Sequence, residues 1–122
     1  MPSLRKFVAL VLLSLCALAA GAREVTYEGV RAQVIIDVRT PAEFAAGHVE
    51  GAVNIPFEGI GEGVAAIKGV GKDSNIVLYC QSGRRAGIAK ATLEQAGYSR
   101  VVNGGGIASF EKALKPCPAK GC

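Results

Sequence analysis

Two short runs in this chain are apolar at nearly every position: Val34-Ile35-Ile36-Asp37-Val38 and Ile76-Val77-Leu78-Tyr79. A strand with one wet face alternates apolar and polar residues. A run without alternation is expected of a strand buried on both faces. After the first run, Thr40-Pro41-Ala42-Glu43 reads as a helix start. Thr suits the cap, Pro the first turn, and Glu three residues on completes a capping box. That helix should run to about Ala46 and stop at Gly47. Ala52-Val53-Asn54-Ile55 predicts a short strand ended by Pro56, and Gly63 to Lys68 a weak helix. From Arg85 to Ala96 the small and apolar residues Ala86, Ala89, Leu93 and Ala96 recur at helical spacing, and Gly97 marks the stop. Val101-Val102 predicts another strand, and Gly106 to Leu114 a last helix before Pro116. Val25-Thr26-Tyr27 is read as a short edge strand. Strands separated by helices imply parallel pairing, because parallel neighbours need a crossover. The expectation is one open α/β domain with helices on both faces.

The chain opens differently. Arg5 and Lys6 precede an apolar stretch from Phe7 to Ala20, and Ala20-Gly21-Ala22 places small residues where a signal peptidase cuts. The layout is that of a secretory signal over residues 1–22, and the stretch is shorter than the roughly 20 residues of a bilayer span. An uncleaved anchor is the alternative. A lipoprotein reading would use Cys16, but Leu15 before it is not small. With the signal removed, the chain from Arg23 onward is expected to be an exported, periplasmic domain spanning 23–114. A peripheral tail would follow at 115–122, with no membrane association. Nothing indicates a large exposed apolar face, so a monomer is expected.

Composition narrows the chemistry. Of 122 residues, half are hydrophobic, which excludes a disordered chain. The net charge of +4 fits a site for a small anion; without a basic run, and with 6% aromatics, it gives little support to nucleic acid. A single His, His48, rules out a histidine-built metal centre. Once Cys16 leaves with the signal, Cys80, Cys117 and Cys122 remain. An odd cysteine in an oxidising compartment is either reactive or paired between chains.

Cys80 closes the second apolar run, and Gln81-Ser82-Gly83-Arg84-Arg85 leads into the best helix. Ligands of open α/β sheets bind beyond the carboxyl ends of the strands. Gly83 permits a tight turn that aims backbone N–H groups inward as an anion-binding concavity. The helix start adds its positive end, and Arg84 and Arg85 add two permanent charges. All three favour thiolate over thiol, so Cys80 is expected to be a nucleophile needing no histidine. The same loop would hold an incoming anion.

Cys80–Arg85 resembles the six-residue active-site loop of the rhodanese family. Asp37-Val38-Arg39-Thr40-Pro41-Ala42-Glu43-Phe44, continuing through Gly47-His48-Val49-Glu50-Gly51-Ala52-Val53-Asn54-Ile55-Pro56, is similar to that family's second hallmark. Gly105-Gly106-Ile107 to Phe110 is similar to its Gly-Gly segment, with Phe110 where Trp is common. The likeness covers nearly all of Val34–Leu114. As an exported single domain, the layout is similar to the periplasmic phage-shock rhodaneses. The resemblance implies a parallel sheet of about five strands, the first short or degenerate here. It implies that Cys80 takes the outer sulfur of thiosulfate as a persulfide and passes it to cyanide or a thiol. Gln81, Ser82, Gly83, Arg84 and Arg85 would bind the donor, with Arg84 or Arg85 on its anionic end. No metal or organic cofactor is required. Asp37, Arg39 and His48 would be structural supports. The alternative is a sulfur carrier that loads once and delivers to a partner protein.

Cys-dependent phosphatases carry a loop one residue longer, and the position of their Arg is Ala86 here; thioredoxin-like chemistry would need Cys where Gly83 stands. Gly104-Gly105-Gly106 fits a close backbone turn and lacks the context of a dinucleotide site. Three readings are open for Cys117 and Cys122: a local disulfide, a sulfur or redox relay for Cys80, and a two-thiolate site for a soft metal.

Overall fold

The structure, a computed structural model, describes residues 24–117, so the export signal expected at 1–22 and Cys122 lie outside the described residues. In chain order the elements are strands β1 (Val25–Tyr27), β2 (Val30–Arg31) and β3 (Val34–Asp37), helix α1 (Pro41–Ala46), strand β4 (Val53–Asn54), and a 3-10 turn (Phe57–Gly59). There follow α2 (Ile60–Ala65), β5 (Ile76–Cys80), α3 (Arg84–Gln95), β6 (Val101–Gly106), α4 (Ile107–Ala113) and β7 (Leu114–Pro116).

The main sheet is parallel throughout, in the order β4-β3-β5-β6. Its centre is β5, buried at all of its positions as the unalternating run predicts. Side chains alternate across it. Ile76, Leu78 and Cys80 join Ile36, Ile60, Val64, Ala86, Ala89 and Leu93 in a core under α2 and α3. Val77 and Tyr79 join Ile35, Val49 and Phe110 on the other face, under α4. Each fully buried large aliphatic side chain, such as Ile36, Leu78 or Leu93, stabilises the fold by about 1.5–3 kcal/mol.

The parallel sheet has four strands among the described residues, where about five were expected. Val25–Tyr27 is a short strand, as predicted, but it lies in a separate antiparallel sheet ordered β2-β1-β7. The reason is local. Glu28 and Gly29 both have positive φ, 49° and 79°, and make a two-residue hairpin that ties β1 to β2. With β7 on its other side, β1 has both edges occupied and cannot extend the parallel sheet. Lys115 and Pro116 belong to β7 and pair with Thr26 and Val25, so ordered structure runs past the expected domain end at 114. The small sheet docks through Tyr27, whose ring lies 5.1 Å from that of Phe110; Phe110 in turn stacks on Tyr79 at 5.1 Å.

Helix α1 has the predicted bounds. Thr40 Oγ1 accepts the Glu43 N–H, and Glu43 accepts the Thr40 N–H. The weak helix expected over 63–68 instead begins earlier, at Ile60, because Ile60 and Val64 are the positions that reach the core. Helix α3 ends at Gln95. Ala96, expected on its buried face, is exposed beyond its last turn. There Gly97 at φ 98° lets the Gly97 N–H reach Glu94 O and the Tyr98 N–H reach Leu93 O.

Candidate active site

Between the end of β5 at Cys80 and the start of α3 at Arg84, three residues turn the chain from strand to helix. Gly83 makes the turn possible. It caps α3 in the left-handed region, φ 95°, which costs an L side chain about 1–2 kcal/mol. The first hydrogen bond of the helix runs from Gly87 N–H to Gly83 O. The N–H groups of Arg84, Arg85 and Ala86 therefore have no acceptor within the helix and open toward the loop. Gly83 N–H donates to Cys80 Sγ at 2.9 Å. The sulfur thus sits at the positive end of a twelve-residue helix, against a backbone donor.

Cys80 is the free cysteine among the described residues, and its residue surface is 1% exposed. Around it Gln81, Ser82 and Arg84 are exposed, so a buried cysteine sits at the base of a solvent-facing loop. A separate cavity of about 740 Å3 borders Val34, Val53 and Leu114 and is lined by no cysteine, serine or histidine. Cys80 lies outside that cavity, in the loop.

Three tethers hold the loop, one near each end and one at its middle. Arg39 Nη1 donates to Gln81 Oε1 at 3.4 Å. Asn103 Nδ2 donates to Gly83 O at 3.0 Å, and Asn103 Oδ1 accepts the Gly105 N–H at 2.8 Å. Arg85 makes a two-pronged ion pair with Glu43, Nη1 to Oε1 at 2.7 Å and Nη2 to Oε2 at 2.9 Å. Sequence reasoning gave Glu43 only its helix-capping role and passed over Asn103. A sequence signal for Asn103 does exist: a lone amide between Val101-Val102 and three glycines.

The glycines bring β6 against the loop. Pairing shifts between Leu78↔Asn103 and Cys80↔Gly106, a bulge that β6 absorbs with Gly105 at φ 82°. A Cβ on Gly106 would lie 2.6 Å from Gln81 O. The triple glycine is a close backbone contact beside the cysteine, in line with the turn expected of it.

Asp37 and Arg39 are buried together. Asp37 Oδ1 accepts the Arg39 N–H at 2.9 Å and Nε at 3.0 Å, and Oδ2 accepts Nη2 at 2.7 Å. Arg39 Nη2 also donates to Gly47 O at 2.7 Å, and Asn54 Nδ2 donates to the carbonyls of Asp37 and Arg39. The pair braces the turn after β3 and carries Arg39 to Gln81. His48 stacks on Phe44 with ring centroids 3.6 Å apart, and its Nδ1 lies 2.8 Å from Phe44 O. A carbonyl only accepts, so Nδ1 carries the proton, and the ring serves the end of α1.

The electrostatics follow from these contacts. Glu43 is held down to about 2, first by the Arg85 hydrogen bonds and then by the Thr40 N–H. Arg85 is raised above its ordinary value, chiefly by the Glu43 hydrogen bonds, with the charges of Glu43, Cys80 and Asp37 behind them. Arg84 takes part in no ion pair among the described residues. No group of three His, Cys, Asp or Glu side chains among those residues is placed to hold a metal ion. Cys117 is disulfide-bonded, and Cys122, its partner in the local-disulfide reading, lies outside the described residues.

Comparison with known proteins gives the family. A family model for the rhodanese-like domain matches residues 23–113. The thiosulfate sulfurtransferase PspE of Escherichia coli (strain K12) is 40% identical over 72 residues, covering 59% of this chain and 68% of that protein. A sulfurtransferase of Allochromatium vinosum is 40% identical over 87 residues, 70% of this chain and 78% of that one. Among solved structures, a rhodanese with anions from E. coli is similar at 38% identity and a TM-score of 0.59, covering 62% of this chain and 88% of its own.

Proposed function

The chain belongs to the rhodanese-like domain family of sulfurtransferases, and from that premise we propose that Cys80 takes the sulfane sulfur of thiosulfate and passes it to a thiol or cyanide. The Cys80 thiolate attacks the outer sulfur. A new S–S bond forms, the S–S bond of thiosulfate breaks, and sulfite leaves with its electron pair. The persulfide on Cys80 then gives its terminal sulfur to the acceptor's nucleophile, and the Cys80 thiolate returns. Each half is a nucleophilic displacement at sulfur, so no external oxidant, metal or organic cofactor enters. Two separate covalent steps predict ping-pong kinetics.

The observation that carries this reading is the 2.9 Å contact of Gly83 N–H with Cys80 Sγ at the start of α3. A donor aimed at the sulfur, with three further N–H groups of the first turn behind it, stabilises negative charge on thiolate and persulfide alike. The compact loop, closed at Arg85, suits a single sulfur atom better than a phosphoryl group. The exposed Gln81, Ser82 and Arg84 form the entrance through which the donor reaches the buried thiol. Residues 1–22 would direct export to the periplasm, where the domain acts as a monomer with its tail closed by a Cys117–Cys122 disulfide.

Peptide mass spectrometry after thiosulfate treatment tests the assignment. One sulfur atom should be added on Cys80, and Cys80→Ser should abolish both this adduct and steady turnover with cyanide. Sulfur found on Cys117 or Cys122, or no uptake at all, would overturn it. A single stoichiometric load with negligible turnover would replace the catalyst with a carrier.

A further inference from the structure

The loop carries two guanidinium groups, and the fold treats them differently. Both Nη atoms of Arg85 are occupied by the two oxygens of Glu43. Glu43 is fixed in turn from its own side, because Oε1 also accepts from Thr40 N and Thr40 Oγ1, at 3.2 and 3.1 Å. The carboxylate caps α1 and clamps the last residue of the cysteine loop at once. Arg84, one residue earlier, is exposed and has no carboxylate partner among the described residues. A carboxylate 2.7 Å from a guanidinium cancels most of its field a few ångströms away, so the loop presents one effective cation to an approaching donor.

We propose that Glu43 is a specificity-determining residue: by occupying Arg85 it leaves Arg84 as the cation that meets the donor, and so restrains the site's preference for doubly charged over singly charged donors. The inference rests on the sulfur-transfer reading, which supplies the donor class. Freeing Arg85 adds a second positive charge at the loop. A dianion such as thiosulfate gains more from it than a monoanion such as methanethiosulfonate, which carries the same kind of transferable sulfur. Glu43→Gln removes the charge and keeps an oxygen acceptor for the Thr40 cap.

Binding should be measured by calorimetry at low ionic strength in a Cys80→Ser background, where no sulfur is transferred. Glu43→Gln should tighten thiosulfate at least threefold and methanethiosulfonate by a smaller factor. Adding Arg85→Gln should reverse the gain, and 0.5 M salt should shrink it. An unchanged ratio of the two affinities, or a gain that survives Arg85→Gln, overturns the proposal. Should Glu43→Gln fail to fold, Glu43→Ala removes the same charge and must shift the ratio the same way. Sulfur uptake by the chain with Cys80 intact is scored separately. Its absence defeats the catalytic reading, while the anion affinities still decide the role of Glu43.

Discussion

At Gly83 the chemistry of the loop meets backbone sterics. Its φ of 95° lies where L side chains are strained, and a Cβ there would sit 3.2 Å from Gly105 Cα. Gly83→Ala should therefore lower stability by about 1–2 kcal/mol from the conformational term alone. It should also displace the N–H that reaches Cys80 Sγ. The expected outcome is a lower urea midpoint together with a sulfur-loading rate reduced at least tenfold; loading at the wild-type rate would show that this N–H does no work on the sulfur. Gly83 and Cys80 were both legible in the sequence, because a glycine and a cysteine at a strand-to-helix junction carry their meaning locally. The bond from Asn103 to the loop and the second role of Glu43 were not. A side chain that bonds to residues 20 or 42 positions away leaves no periodic trace.

The junction of β3 with α1 is the element that organises the site. It presents Asp37, Arg39 and Glu43 in sequence, and two of these reach across to the cysteine loop. Its stability hinges on the Asp37–Arg39 pair, whose side chains are 0% and 6% exposed. Removing one partner of a buried pair costs about 3–5 kcal/mol, because the other charge is left without an anion in a dry site. Asp37→Ala should destabilise the domain by that amount in chemical denaturation. It should also loosen Gln81, seen as faster backbone amide exchange at the loop. A loss below 1 kcal/mol would mean that water reaches Arg39 readily. The helix on this junction was legible to the residue, since its capping box and Pro41 are local signals. The helix before β5 was not: it starts at Ile60 because Ile60 and Val64 find the core, which no cap in the sequence announces.

Across the whole molecule the sheet separates two cores, and Tyr79 lies in the second of them at 0% exposure, beside Phe110 and under the Val49 N–H. Burial, more than any neighbour, pushes its hydroxyl up from 10.0 to about 12. Between those values the unfolded chain gives up this proton and the folded chain keeps it. Stability should therefore be unaffected below pH 10 and fall as pH rises toward 12. Tyr79→Phe should flatten that alkaline limb, at the expense of the acceptor for Val49 N–H, when denaturation midpoints are compared from pH 8 to 11.5. An alkaline limb unchanged by the substitution would assign it elsewhere. At this scale no helix of the described residues is long and apolar enough to cross a membrane.

The residues alone determined the α/β class, the strands Val34–Asp37 and Ile76–Cys80 to within one residue, the capped helix Pro41–Ala46 and the cysteine loop, because each rests on periodicity, capping or turn chemistry acting within a few positions. Tertiary structure alone decided that Val25–Tyr27 pairs with β7, that Asn103 steadies the loop's middle, and that Arg85 is paired with Glu43 while Arg84 has no ion-pair partner among the described residues. Those outcomes depend on strand order and on ångström separations between residues far apart in the chain. Charge cancellation and edge pairing act through space, and only the packed sheet brings their partners together.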